Sequence, residues 1–411
     1  MTEQERYLNY LTMLRKPFRK LCRLRFLQPD GSTAFVLDNR ADTGSAFISN
    51  GTITHNWQNG RRTSATVTLS NVSGDFDFAF NKIWFGQEIA LDEGLVLSDG
   101  TDFYIQQGVF LIETPVETLM PSNRTVEYNL VDKVAALDGT LGGNLEGTYQ
   151  VDVGTNIYDP IVALLAEDKG NGYPIDRIKP VFTEYFNDKT EELPDGTAVS
   201  MVDAPYTLTV EGGRTKWDVI AGLAAMVNAW VGYDETGALR LEPSQDDILD
   251  TTKPVLWDFS MDEAELCGMS YSVKNTDVFN DYICVGDMLS DNRQPKGRAE
   301  IYDPASPVAI GVIGRKTTRV QKAGFATDTQ CRDYAEWMVK RASVLQRAVT
   351  VSCSQMFHIR GNSLITIERT DKPGSPVERH LIQGFSRPIA STGAMTINAT
   401  SVHDFYTATI S

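Results

Sequence analysis

Two carboxylate groupings are the first candidates for chemistry: Asp75 and Asp77 on either side of Phe76, and the run Asp262, Glu263 and Glu265. Paired carboxylates are what glycoside hydrolysis uses as acid and as nucleophile or base. With 54 Asp and Glu in 411 residues, however, such neighbours arise by composition alone. Cys353 and His358 offer a thiol and a base, but a strand carrying an ordinary buried cysteine has the same spacing. Gly212-Gly213-Arg214-Thr215-Lys216 is glycine-rich and ends on Lys, yet it lacks the GxxxxGK[ST] spacing that cradles phosphates. Asp246, Asp247 and Asp250 lack the alternating ligands and central glycine of a calcium loop and read as a solvated acidic turn. There is no HExxH and no GxSxG, and His55, His358, His380 and His403 lie far apart. The sequence therefore nominates no catalytic, cofactor-binding or metal-binding residue, and the expectation is a protein that is not an enzyme.

Composition narrows the class further. The formal net charge is −16, from 38 Lys and Arg against 54 Asp and Glu. That balance disfavours a generic nucleic-acid binder, whose affinity comes from cations releasing counterions. Residues 185–265 hold 17 acids and 5 bases. The early basic cluster of Arg15, Lys16, Arg19, Lys20, Arg23 and Arg25 reads as a solvated face, with an acidic partner or nucleic acid as the alternative. Cys22, Cys267, Cys284, Cys331 and Cys353 are odd in number and contain no CxxC, so they read as buried free thiols. The longest nearly apolar stretch, Val219 to Gly232, is short of the roughly 20 residues of a membrane span. MTEQERYLNY does not resemble a secretory signal, so neither a leader nor a membrane anchor is expected.

The elements that would position these residues fall into four parts. Residues 1–20 carry Tyr7, Tyr10, Leu11, Leu14 and Phe18 at helical spacing, with Pro17 expected to end the helix. From 21 to 137 the texture is strand and turn, with turns at Pro29-Asp30-Gly31, Asn59-Gly60 and Asp99-Gly100. Alternation over Ala65-Thr66-Val67-Thr68-Leu69 marks a half-buried strand. Residues 138–254 are mixed, with helices expected at Thr155–Asp168 and Thr215–Val231 and a hairpin over Trp230–Leu241. From 255 to 411 β texture returns. There Ser290 to Pro307 reads as a surface loop, and a helix capped by Thr327 and Gln330 carries Cys331, Tyr334, Ala335, Met338, Ala342 and Leu345. The expected fold is mainly β, with two β-barrel domains (21–137 and 255–411) flanking an α/β insert domain with its helix–hairpin unit.

Read in order, several segments resemble the central baseplate hub, or tail-tip, proteins of tailed bacteriophages. They begin with Gly51-Thr52-Ile53-Thr54, Ala65 to Asn71 and Gly74-Asp75-Phe76. Phe85 to Ile89, Gly108 to Ile112 and Thr125 to Asp132 leading into Leu137 follow. In the insert they are Trp217 to Ala224 and Tyr233 to Leu239. In the last region they are Asp303 to Ile310, Val312-Ile313-Gly314 and Gly361 to Ile367. The resemblance implies a homotrimer in which each subunit supplies two tail-tube-like barrels, so that six barrels match a hexameric tail tube and the trimer matches a three-fold tip. It implies partners among distal tail and tail-tube proteins, the tape-measure protein, and tip, spike or fibre proteins. DNA would pass through the lumen without specific binding, past acidic walls that repel phosphates. The expected place is the virion tail, assembled in the host bacterial cytoplasm, with lytic or receptor-binding work on another protein. The alternatives are the hub of a related injection device, a carbohydrate-binding β protein, or a cell-wall glycosidase.

Overall fold

The computed structural model describes residues 2–40, 47–57, 63–77, 83–121, 123–182, 190–192, 198–200, 202–227, 229–243, 254–263, 265–273, 278–289, 292–322, 325, 327–343, 347–372, 374, 376–402 and 408–410. The turn at Asn59-Gly60, the acids Asp246, Asp247 and Asp250, His403 and Leu345 lie outside them.

Helix α1 (Glu3–Met13) opens on a capping box, Thr2 with Glu5, which satisfies backbone N–H groups that no helix turn can reach. Seven strands follow: β1 (Lys20–Leu27), β2 (Thr33–Asp38), β3 (Ile48–Asn56), β4 (Thr63–Ser70), β5 (Ile89–Val96), β6 (Asp102–Met120) and β7 (Asn123–Asp132). The turns at Asp30-Gly31 and Asp99-Gly100 form as expected, with Gly31 and Gly100 at φ of +88° and +83°. In β4 the even alternation of apolar and polar residues matches alternating burial.

The middle of the chain comprises β8 (Tyr149–Val151), α2 (Tyr158–Ala166), β9 (Val181–Phe182), β10 (Thr190–Glu192), β11 (Ala198–Ser200), β12 (Leu208–Val210), α3 (Lys216–Met226), β13 (Ala229–Tyr233) and β14 (Leu239–Pro243). Helix α3 is shorter than the expected Thr215–Val231. Trp230 and Val231 instead pair with Glu242 and Leu241 in the β13–β14 hairpin, so hairpin pairing outweighs the helical spacing. These strands form small separate sheets: β8 with β12, β10 with β11, and β13–β14–β9. A core of Ile157, Ile161, Leu164, Val219, Ile220 and Leu223 joins the two helices to the β8–β12 and β13–β14–β9 sheets through Val151, Val210 and Leu241.

The remainder comprises β15 (Val255–Ser260), β16 (Leu266–Ser272), β17 (Asp281–Val285), β18 (Lys296–Glu300), α4 (Ile310–Ile313), β19 (Thr317–Gln321), α5 (Asp328–Ser343), β20 (Ala348–Cys353), β21 (Leu364–Glu368), β22 (Glu378–Pro388), β23 (Met395–Ser401) and β24 (Thr409–Ile410). The capping box at Thr327 and Gln330 forms as read, through reciprocal bonds of 3.0 and 3.1 Å. Within the stretch expected to be a loop, β18 is instead a paired strand. Its inward positions are Gly297 and Ala299, so it lacks the bulky alternation by which a strand is recognised.

One 13-stranded sheet runs through both β regions in the order β16-β20-β23-β22-β3-β4-β7-β6-β5-β1-β2, with β15 and β21 branching at β22. The link is β22, whose residues 384–388 pair antiparallel with Asn56 to Thr52 of β3. A bulge at Ile382/Gly384 bends it there. Gly384 is required at that bend, because a Cβ would lie 2.4 Å from the His55 carbonyl oxygen. Helix α1 does not pack on the strands that follow it alone: Tyr10 and Leu14 enter the core of the last region, with Trp257, Phe357 and Ile359. Among the described residues no helix is long and apolar enough to cross a membrane.

Candidate functional site

The groups singled out for chemistry are not brought together. Asp75 is exposed and accepts from the Ser73 hydroxyl at 2.5 Å, whereas Asp77 is bound by Asn71 at 2.7 Å and paired with Arg124. Phe76, between them, is buried in the core. Asp262 accepts from Thr370 at 3.1 Å, and Arg15 takes both Glu263 and Glu265, at 3.9 and 3.2 Å. Cys353 is fully buried, and burial pushes its thiol up to about 12, the reverse of what a nucleophile needs. His358 meets the Tyr10 hydroxyl through Nδ1 at 2.9 Å and the Leu256 carbonyl through Nε2 at 3.2 Å. Burial lowers its pKa to about 4, so it is a neutral packing residue at pH 7. The glycine-rich stretch at 212–216 ends as the cap of α3: Thr215 and Asp218 form a capping box, placing a carboxylate where a phosphate would sit. Among the described residues no three His, Cys, Asp or Glu side chains gather as metal ligands would.

What the fold does bring together is buried charge at the places where its regions meet. On β5, Asp92 and Glu93 point to opposite faces, as adjacent strand residues must. Asp92 accepts from Arg23 and Arg25, both at 2.7 Å. Glu93 is wholly buried and binds Arg387 of β22, with Nε at 2.8 Å and Nη2 at 2.7 Å, and Lys20 of β1 at 2.8 Å. Arg387, 1 % exposed, also donates to Gln107 and lies 4.7 Å over the Phe385 ring. Lys20 donates to the Gln355 side chain and the Pro388 carbonyl, both at 2.5 Å. Desolvation lowers the Lys20 pKa, and Glu93 opposes that shift. The early basic cluster is thus a solvated face only in part: Arg15, Lys16 and Arg19 are exposed, whereas Lys20 is buried against Glu93 and Arg23 and Arg25 are half-buried against Asp92.

A second buried group joins the first β region to the middle one. Lys133, just after β7, pairs with Asp176 and donates to the Gly237 carbonyl at 2.9 Å, with its Nζ 5.0 Å from the Tyr233 ring centre. Arg177 pairs with Glu88 nearby. All three regions then border one cleft of about 210 Å³, lined by His55, Trp57, Gln106, Glu235, Arg360 and Asn362 among others. Gln106 donates to the Glu235 carbonyl at 2.9 Å across it, and Arg360 pairs with Glu235. These groups fix three regions against one another. The sequence held a usable signal for them, namely charges inside otherwise apolar stretches (Asp92-Glu93 in Ile89–Val96, Lys133 in Val131–Leu137), which the search for catalytic spacing passed over.

No family model and no curated protein matches the sequence. Solved structures do match the fold. A tail protein from Neisseria meningitidis aligns with TM-score 0.60 at 10 % identity, over 93 % of this chain and 97 % of that one. The 43 kDa tail protein of a Shewanella oneidensis prophage aligns with TM-score 0.58 at 12 % identity, over 94 % and 98 %. A Francisella PdpA–VgrG complex aligns with TM-score 0.52 at 9 % identity, over 96 % of this chain and 55 % of that one. Over nearly its whole length, this chain has the fold of phage tail proteins.

Proposed function

We propose that the protein is the structural hub of a phage tail tip or baseplate: a homotrimeric ring that adapts a hexameric tail tube to a three-fold tip and forms part of the DNA-ejection channel. The observation that carries this reading is end-to-end likeness to tail proteins of nearly equal length, spanning both β regions and the part between them. The division at 1–20, 21–137, 138–254 and 255–411 belongs to the same proposal, the two β parts being the tube-like units. One sheet running through both supports it, because a ring wall needs two β units held at fixed orientation. The hub would contact the distal tail, tail-tube, tape-measure and tip, spike or fibre proteins in the virion tail, after assembly in the host cytoplasm. DNA would pass an acidic channel without binding.

Mass photometry of the purified chain tests the reading: a species at about three times 45.5 kDa is expected, and a monomer at every concentration would count against it. The likeness to the PdpA–VgrG complex favours one second reading, the equivalent part of another injection device. A hydrolase role is tested by turbidity of a cell-wall suspension. No clearing is expected, and clearing lost on changing Asp75, Asp77, Asp262 and Glu263 to Ala would overturn the non-enzymatic reading.

A further inference from the structure

Of the cysteines scattered along the chain, two meet. Cys284 lies on β17 and Cys331 near the start of α5. Both are fully buried, and both belong to the small core that β17 and β18 share with that helix. Gly297 of β18 sets their approach. It pairs with Cys284 across the ladder, and a Cβ on it would lie 2.5 Å from the Cys331 carbonyl carbon and 2.3 Å from the Arg332 nitrogen. The helix backbone therefore rests directly on the sheet beside Cys284. Such close approach is what a disulfide needs, since it spans only about 4.4–6.8 Å between Cα atoms.

The two thiols share a hydrogen bond, and their surroundings make them unequal. Burial raises the pKa of both, that of Cys331 to about 12. Lys322 opposes the shift at Cys284, whereas Asp328 adds to it at Cys331. Cys284 is therefore the first to yield a thiolate, the form that reacts. The other cysteines are placed differently: Cys22 and Cys353 lie in separate cores, and Cys267 is exposed. Among the described residues no third ligand joins Cys284 and Cys331 to hold a metal.

We propose that Cys284 and Cys331 are a modification site, a dithiol that hydrogen peroxide closes to an intrachain disulfide tying α5 to β17. The Cys284 thiolate attacks one peroxide oxygen, the O–O bond breaks, and the departing hydroxide leaves as water with the proton Cys284 gave up. The Cys331 sulfur then attacks the sulfenic acid so formed. The S–S bond forms, the S–O bond breaks, and the Cys331 proton leaves with that oxygen as a second water. Two electrons have passed from sulfur to peroxide. No described strand of the β19–β17–β18–β24 sheet pairs with the 13-stranded sheet, so its small core is the part that opens first to a reagent little larger than water. A covalent tie matters most where the core is small. The bond would form whether or not the chain builds a ring. A virion component passes from a reducing cytoplasm to an oxidising medium, the change that favours closure.

The test is peptide mapping of the folded full chain, first reduced and then treated with hydrogen peroxide. Remaining thiols are blocked with N-ethylmaleimide in urea, and the chain is digested without reductant. The expected product is a Cys284–Cys331 peptide pair, lighter by two hydrogen atoms than its parts and separated by dithiothreitol, with Cys22 and Cys353 still blocked. The oxidised chain should melt a few degrees above the reduced one, and Cys284→Ala and Cys331→Ala should each lose that gain. Recovery of Cys284 and Cys331 as separate blocked or over-oxidised residues, under peroxide that already oxidises Cys267, overturns the inference. So does a cross-link from either of them to another cysteine, or a pair that forms only when peroxide is added to the unfolded chain.

Discussion

The two β regions and the middle region are joined to their neighbours by different means. Between the β regions the backbone itself is continuous: β3 and β22 share a ladder, and Glu93, Arg387 and Lys20 fill the space beside it. Between the first β region and the middle one, no described strand of the middle region pairs with the large sheet. That junction is held by side chains, chiefly Lys133 with Asp176, Arg177 with Glu88 and Gln106 with the Glu235 carbonyl. A ladder fixes register and orientation together, whereas side-chain pairs fix position and can be lost one at a time. The comparison makes the two β regions one mechanical body, with the middle region attached to it.

The largest effect should come from Glu93→Gln. It leaves Lys20 and Arg387 buried around a neutral amide, and breaking a buried ion group this way costs about 3–5 kcal/mol. Arg387→Met leaves a neutral Lys20–Glu93 pair and should cost less. Urea denaturation of both variants checks the order, and the reverse order would mean that Arg387 matters through packing rather than charge.

Lys133→Met should cost about 3 kcal/mol by stranding Asp176, but locally. Hydrogen exchange is expected to speed up in the core built around α2 and α3 while β3 and β22 stay protected. Uniform acceleration would erase the contrast between the junctions.

His358 gives a pH-dependent effect of similar full size, of which only part falls within the range from pH 7 to 4.5. Its folded pKa is lowered to about 4, while the unfolded chain takes up its proton near pH 6.5. The unfolded state therefore binds more protons between these values, so this contribution is complete above about pH 6.5, falls as pH drops and levels off below about pH 4. Its full size is about 3 kcal/mol. The wild type minus His358→Gln difference in urea midpoint, followed from pH 7 to 4.5, should shrink as the pH falls. The smallest effect is Thr215→Ala, which removes the cap of α3 at a cost of about 1 kcal/mol, readable as a modest drop in melting temperature.

Much of this was legible in the sequence because it rests on local rules. The Asp-Gly turns, the alternation of β4 and the Thr327–Gln330 cap all depend on residues close in sequence, and all form. The elements misread are those decided from a distance. The hairpin read over Trp230–Leu241 forms, but α3 stops at Met226 rather than running on to Val231, and β18 is built of small residues because α5 lies against it. The junction charges were marked by their apolar surroundings, but their pairing was not legible: Glu93 and Arg387 are 294 residues apart, and only the fold makes them neighbours. Assigning the basic residues of the first strand to a solvated face failed because nothing local tells that Lys20 meets Glu93 inside the sheet.

The most direct test of the hub account is a cryo-electron microscopy reconstruction of the assembled protein. The account predicts a three-fold ring in which the two β regions of each chain alternate around an open centre, giving six similar units at one radius. A closed particle without a channel, or one with the two β regions of each chain at unlike radii, would contradict it.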